Sequence, residues 1–104
     1  FLAAKRKLAG EYKQFFEGTA GIRYVEEPRD CRSNFWLNAV LLDGPRQRDA
    51  FLEYTNQRGV STRPAWELMH RLPMFKNAQC GDLSNAEWIA GRLVNIPSSV
   101  PYES

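Results

Sequence analysis

Phe35-Trp36-Leu37-Asn38-Ala39-Val40-Leu41-Leu42-Asp43-Gly44-Pro45 is the stretch from which the fold follows. Asn38 alone interrupts an apolar run from Phe35 to Leu42. A run this continuous cannot leave one face in water, so it predicts a strand lying centrally in its sheet. Asp43-Gly44-Pro45 then supplies a turn and sets a proline at an early helical position. Arg46 to Arg58 carries Ala50, Phe51 and Tyr54 at helical spacing, with Gly59 as the stop.

Outward from this strand and helix, the neighbouring elements can be placed. Phe1, Leu2, Leu8, Ala9, Tyr12, Phe15 and Phe16 fall largely at three- and four-residue spacing among Lys5, Arg6, Lys7, Glu11 and Lys13. That pattern predicts an amphipathic helix of about four turns ending near Gly18. Ile22-Arg23-Tyr24-Val25-Glu26 alternates loosely and predicts a strand closed by Pro28, and Val60-Ser61-Thr62 predicts a short third one. Trp66 to Leu72 has room for one or two helical turns between Pro64 and Pro73. Ser84-Asn85-Ala86-Glu87 has the capping-box pattern, with Ser84 as N-cap, and predicts a helix through Trp88, Ile89 and Leu93 that stops before Pro97. Ser98-Ser99-Val100-Pro101 reads as a tail. The order helix, strand, strand, helix, strand, short helix, helix predicts an α+β fold. It would be a small, mainly antiparallel three-stranded sheet with helices packed on one face.

At 104 residues the chain is a single domain, 1–104, able to bury roughly 65% of the surface its unfolded form exposes. Net charge is +2, and the longest basic run is Lys5-Arg6-Lys7, on the predicted amphipathic helix. A solvated helix face accounts for that run, so nucleic acid is not an expected partner. Cys31 and Cys80 share no metal-type spacing and have only His70 as a nitrogen partner, which argues against a zinc site and for free thiols in a reducing compartment. No apolar run approaches the roughly 20 residues of a membrane span, and no signal peptide is visible. A cytoplasmic setting is expected. The chain begins at Phe1 with a helix apparently in progress, as an excised piece of a longer protein would.

Gly59-Val60-Ser61-Thr62-Arg63-Pro64-Ala65-Trp66-Glu67-Leu68-Met69-His70-Arg71-Leu72-Pro73-Met74-Phe75 puts Arg63 directly before, and a tryptophan and the sole histidine between, two prolines that restrict the backbone. No nucleophile–base pair, paired carboxylates, metal set or phosphate loop accompanies them. The Gly59 to Phe75 stretch resembles the C-terminal domain of the DegT/StrS family of pyridoxal-phosphate-dependent nucleotide-sugar aminotransferases. So do Ser33-Asn34-Phe35-Trp36-Leu37-Asn38 and Arg92-Leu93-Val94-Asn95-Ile96-Pro97-Ser98-Ser99. The branch acting on UDP-linked 4-keto-6-deoxy sugars derived from N-acetylglucosamine is the nearest; branches using GDP- or dTDP-linked sugars share the general pattern.

The resemblance implies the small C-terminal domain of a bacterial fold-type I transferase. Its separate large domain would carry the Schiff-base lysine and hold pyridoxal phosphate, and the whole enzyme would be a homodimer taking its amine from an amino acid, commonly glutamate. None of Lys5, Lys7, Lys13 or Lys76 matches that lysine, so this chain alone is expected to have no catalytic residue and no transaminase activity. Arg63, His70, Trp66 and Asn34 are the candidate substrate-binding residues. Each also has a structural reading: Arg63 paired with Glu67, Trp66 and His70 packed locally, Asn34 a turn residue. Asn38 reads as structural, and Ser98 and Ser99 as caps or tail contacts. A small domain of this kind would expose apolar surface on the 1–16 helix and the 66–75 loop. The alternative reading is a stand-alone α+β binding module that recognises a partner through the 63–75 loop.

Overall fold

The computed structural model describes residues 1–99; Val100 and Pro101 of the expected tail lie outside the described residues. Helix α1 (Leu2–Glu17) forms where the apolar spacing placed it, burying Leu8 and Ala9. Strands β1 (Ile22–Tyr24) and β2 (Asn38–Leu42) follow, then helix α2 (Pro45–Gln57), with Pro45 in its first turn, where a missing N–H costs nothing. Strand β3 (Arg63–Pro64) is followed by two 3-10 turns, Met69–Arg71 and Pro73–Phe75. Helix α3 (Ser84–Ala90) and strand β4 (Leu93–Ile96) complete the order.

The fold is α+β with an antiparallel sheet, and the sheet has four strands, not three, in the order β1-β2-β4-β3. Leu93–Ile96, expected as the end of a helix, is an interior strand paired on both sides. Gly91 ends α3 two residues earlier, and the alternating burial of Leu93-Val94-Asn95-Ile96 has the period of a strand. The third strand also shifts, from Val60-Ser61-Thr62 to Arg63–Pro64. Strand β2 is central, as its apolar run requires.

Register puts Tyr24, Val40 and Val94 opposite one another, with Leu42 facing Ile22 and Asn38 facing Ile96. These side chains share one face. Ala9 joins that cluster from α1 and Phe51 and Leu52 pack on it from α2, so both long helices cover the same face. Val40 and Val94 are completely buried, each contributing roughly 1.5–3 kcal/mol by apolar burial. Asn38, 1% exposed, is retained inside because every polar atom is used. Its Oδ1 accepts from the Tyr24 hydroxyl (2.5 Å), while its backbone N–H and Nδ2 donate to Ser98 Oγ at 2.8 and 3.3 Å. Ser98 Oγ in turn donates to the Ile96 carbonyl. The chain beyond β4 is thereby fastened to the start of β2.

The cap of α3 departs from the capping box. Leu83 occupies the N-cap, and the Ser84 N–H donates to Asp82 Oδ1 at 3.0 Å. A carboxylate is the stronger acceptor for an unpaired helix N–H. Those bonds from Ser84 hold the Asp82 carboxyl below its ordinary range. Glu87 is thus free to reach elsewhere.

Candidate functional site

The four candidate residues occupy three different surroundings. Arg63 opens edge strand β3, opposite Asn95. Its neighbour Thr62 is 2% exposed and anchors the strand to the end of α2: Thr62 Oγ1 lies 2.7 Å from Thr55 Oγ1 and accepts from Asn56 Nδ2 at 2.9 Å. Arg63 Nη1 donates to Asn56 Oδ1 (3.1 Å) and to the Thr62 carbonyl (2.8 Å). Among the described residues, its Nε and Nη2 have no protein partner. Glu67 does not pair with it; that carboxylate faces Arg71 at 3.8 Å.

Trp66 is 77% exposed, so the local-packing reading fails within this chain. Met69, Met74 and, less fully, Phe75 are exposed on the same segment, as are Leu2 and Phe15 on α1 and Phe1 at its N-cap. His70 is half-buried, with Nε2 3.2 Å from Glu87 Oε1 on α3. It also lines an apolar cavity of about 380 Å³ with Leu68, Met69, Phe75 and Leu83. The bridge to Glu87 fixes the 3-10 segment against α3.

Asn34 lies in the loop joining β1 to β2, and its Oδ1 accepts the Trp36 N–H at 3.1 Å, a turn-forming bond. The loop is held by one clamp. Glu27 Oε2 accepts the Ser33 N–H at 2.7 Å, Arg6 Nη2 meets Glu27 Oε1 at 3.2 Å, and Arg6 Nη1 donates to the Ser33 carbonyl at 2.6 Å. The Ser33 N–H above all, then Arg6 and Arg32, keep the Glu27 carboxyl below its ordinary value against an opposing desolvation effect. The clamp supports Phe35 at φ 52°, a left-handed conformation costly for a bulky residue. Ser33 Oγ accepts the Phe35 N–H, and the Arg6 guanidinium stacks 5.2 Å from its ring centre. Beside this loop a cavity of about 470 Å³ is lined by both charge signs, including Arg6, Lys13, Arg29, Glu26 and Asp30.

Among the described residues, no hydrogen bond or ion pair joins any two of Asn34, Arg63, Trp66 and His70. Arg63 lies on edge strand β3 and Trp66 two residues beyond it, His70 lies in the first 3-10 turn against Glu87 of α3, and Asn34 is in the separate β1–β2 loop. Asn56 was absent from the sequence candidates. An asparagine three residues before a helix-ending glycine carries no local sign that its side chain will fold back onto a later strand.

Attachment of pyridoxal phosphate requires a lysine amine free to react. Lys5 Nζ donates to the Ser98 and Trp36 carbonyls, and Lys13 Nζ lies 3.6 Å from Glu26 Oε1. Lys7 and Lys76 are exposed on the surface. Among the described residues, no group of three or more His, Cys, Asp or Glu side chains could hold a metal, and no helix is long and apolar enough to cross a membrane.

Residues 1–103 match the DegT/DnrJ/EryC1/StrS aminotransferase family. Among solved structures, the chain is similar to an aminotransferase, TlmJ, from Streptoalloteichus hindustanus: 26% identity, TM-score 0.81, covering 93% of this chain and 26% of that one. It is also similar to the sugar aminotransferase CalS13 from Micromonospora echinospora, at 22% identity and TM-score 0.82, covering 99% of this chain and 27% of that one. DesV from S. venezuelae, solved with a ketimine intermediate, aligns at 23% identity and TM-score 0.83 over 94% of this chain and 26% of its own. The chain therefore spans about a quarter of the length of these structures.

Proposed function

The chain belongs to the DegT/DnrJ/EryC1/StrS aminotransferase family, and on that premise we propose that it is the C-terminal small domain of a nucleotide-sugar aminotransferase. The whole enzyme converts a nucleotide-linked 4-keto-6-deoxy sugar to the 4-amino sugar, with glutamate as donor and a UDP-linked N-acetylhexosamine as the favoured substrate. Pyridoxal phosphate supplies the electron sink for exchanging amine and ketone. It is held by a large domain outside this chain. The enzyme is a homodimer of the bacterial cytoplasm. The exposed Phe1, Leu2, Trp66, Met69 and Met74 supply apolar surface for the large domain or the partner subunit.

The observation that carries this reading at the level of residues is the Arg63 guanidinium. Among the described residues, one nitrogen is engaged and the Nε–Nη2 edge is left as an open fork of donors at an exposed sheet edge. That edge has the spacing to take two oxygens of a phosphate or carboxylate together. Trp66, three residues on and exposed, offers a flat apolar surface beside it. His70 contributes a polar group at the rim, and Asn34 a second polar contact from the β1–β2 loop. These residues bind and orient; none performs covalent chemistry.

The test is amination of UDP-4-keto-6-deoxy-N-acetylglucosamine by the full-length enzyme with glutamate, run beside GDP- and dTDP-linked 4-keto-6-deoxy sugars. The reading expects the UDP-linked substrate to give the highest kcat/KM. Turnover confined to the GDP- or dTDP-linked sugar would overturn the branch assignment, and absence of turnover with all three would overturn the activity.

A further inference from the structure

We propose that Asn56 is a positioning residue that sets the orientation of the Arg63 fork for a substrate oxyanion; this rests on the reading of Arg63 as a substrate contact.

The hydrogen bonds around Asn56 run in one direction. Thr55 Oγ1 donates to the Phe51 carbonyl of its own helix at 2.8 Å, which commits its single proton. The 2.7 Å contact between the two threonine hydroxyls must then be a donation from Thr62 to Thr55. With its own proton spent, Thr62 Oγ1 can only accept, and it does so from Asn56 Nδ2. The same Nδ2 also donates to the Leu52 carbonyl at 2.7 Å. The amide is therefore locked with its NH2 toward helix and threonine and its Oδ1 toward Arg63. A flip would set an oxygen against the Leu52 carbonyl and strip Arg63 of an acceptor.

The consequence for Arg63 is geometric. An exposed arginine loses several rotatable torsions when it binds an anion, and that loss weakens binding. Here Asn56 Oδ1 and the Thr62 carbonyl both take Nη1, a planar group with fixed donor angles. Fixing Nη1 at two points fixes the guanidinium plane, so the Nε–Nη2 edge is aimed before substrate arrives. The buried Thr62 hydroxyl is the pivot that ties this aim to helix α2. The oxyanion is either the diphosphate of the nucleotide sugar or the carboxylate of the amino donor, and steady-state kinetics distinguish them by which KM responds.

The experiment uses the full-length enzyme with UDP-4-keto-6-deoxy-N-acetylglucosamine and glutamate, each varied at saturation of the other. Arg63→Ala should raise one of the two KM values at least about tenfold, as loss of charge-assisted bonds does. Asn56→Ala should raise the same KM about three- to tenfold with kcat near wild type. The double variant Asn56→Ala/Arg63→Ala should be no worse than Arg63→Ala alone, a result that general destabilisation would not produce. A rise in Arg63→Ala without one in Asn56→Ala, or an additive double variant, overturns the role of Asn56 while leaving Arg63 in place. Unchanged KM values in Arg63→Ala overturn both.

Discussion

Replacing Asn38 by alanine should be among the most damaging single changes in this chain. The side chain is 1% exposed, and its Oδ1 is the acceptor for the Tyr24 hydroxyl at 2.5 Å. Truncation leaves that phenol, itself in the core, without a partner, at a cost of about 1–3 kcal/mol. Loss of the Nδ2 bond to Ser98 and the small void add about 1 kcal/mol more. The total is about 2–4 kcal/mol, or a fall in Tm of about 10–25 °C for a domain near this size. Urea unfolding followed by far-ultraviolet circular dichroism reads it as a lower midpoint at unchanged m. Tyr24→Phe removes the stranded donor, so the double variant should cost about 1–2 kcal/mol less than the sum of the singles. An Asn38→Ala midpoint within about 0.5 kcal/mol of wild type, or strictly additive variants, would refute the claim that this pair joins β1 to β2.

Burial, reinforced by the charges of Tyr12, Glu26 and Glu27, pushes the Tyr24 hydroxyl up to about 12 from 10.0. Because the folded state holds this proton more tightly, the contribution is complete below pH 10 and is lost as pH rises through about 12; alkaline melts of Tyr24→Phe should show a shallower decline. The Glu27 carboxyl is depressed, so its clamp on the β1–β2 loop is present above 4.5 and lost as pH falls through the folded value. The Ser33 amide resonance should move with a midpoint below 4.5, and a midpoint at or above it would contradict the clamp. Asp82→Ala should lower the unfolding midpoint more than Ser84→Ala, since Asp82 supplies the acceptor at the start of α3. Equal effects would restore Ser84 as the cap.

Much of the fold was legible because its elements carry strong local patterns. The continuous run ending at Leu42 placed β2 in the centre, and the α1 spacing and Gly44-Pro45 set the two packed helices. Strand β4 was hidden because the helical signal from Ser84 to Ile89 ran into it, and only Gly91 marks the change of period. Phe35-Trp36-Leu37 is apolar yet lies outside β2, since Ser33 and Asn34 bond the following N–H groups and turn the chain there. Both short contacts are tertiary or turn chemistry that periodicity does not register. Of the candidate site, apolar exposure on the 66–75 loop was foreseeable, although Trp66 itself also read as locally packed. The Asn56–Thr62 support was not, because it depends on α2 and β3 meeting in space.

The most direct measurement is the crystal structure of the full-length enzyme with pyridoxal phosphate, solved once with the UDP-linked 4-amino-sugar product and once with glutamate. One of the two complexes is predicted to place Nε and Nη2 of Arg63 within about 3 Å of the ligand's diphosphate or carboxylate oxygens, with Nη1 still on Asn56. Arg63 in solvent beyond hydrogen-bond reach of the oxyanions in both complexes would contradict the account.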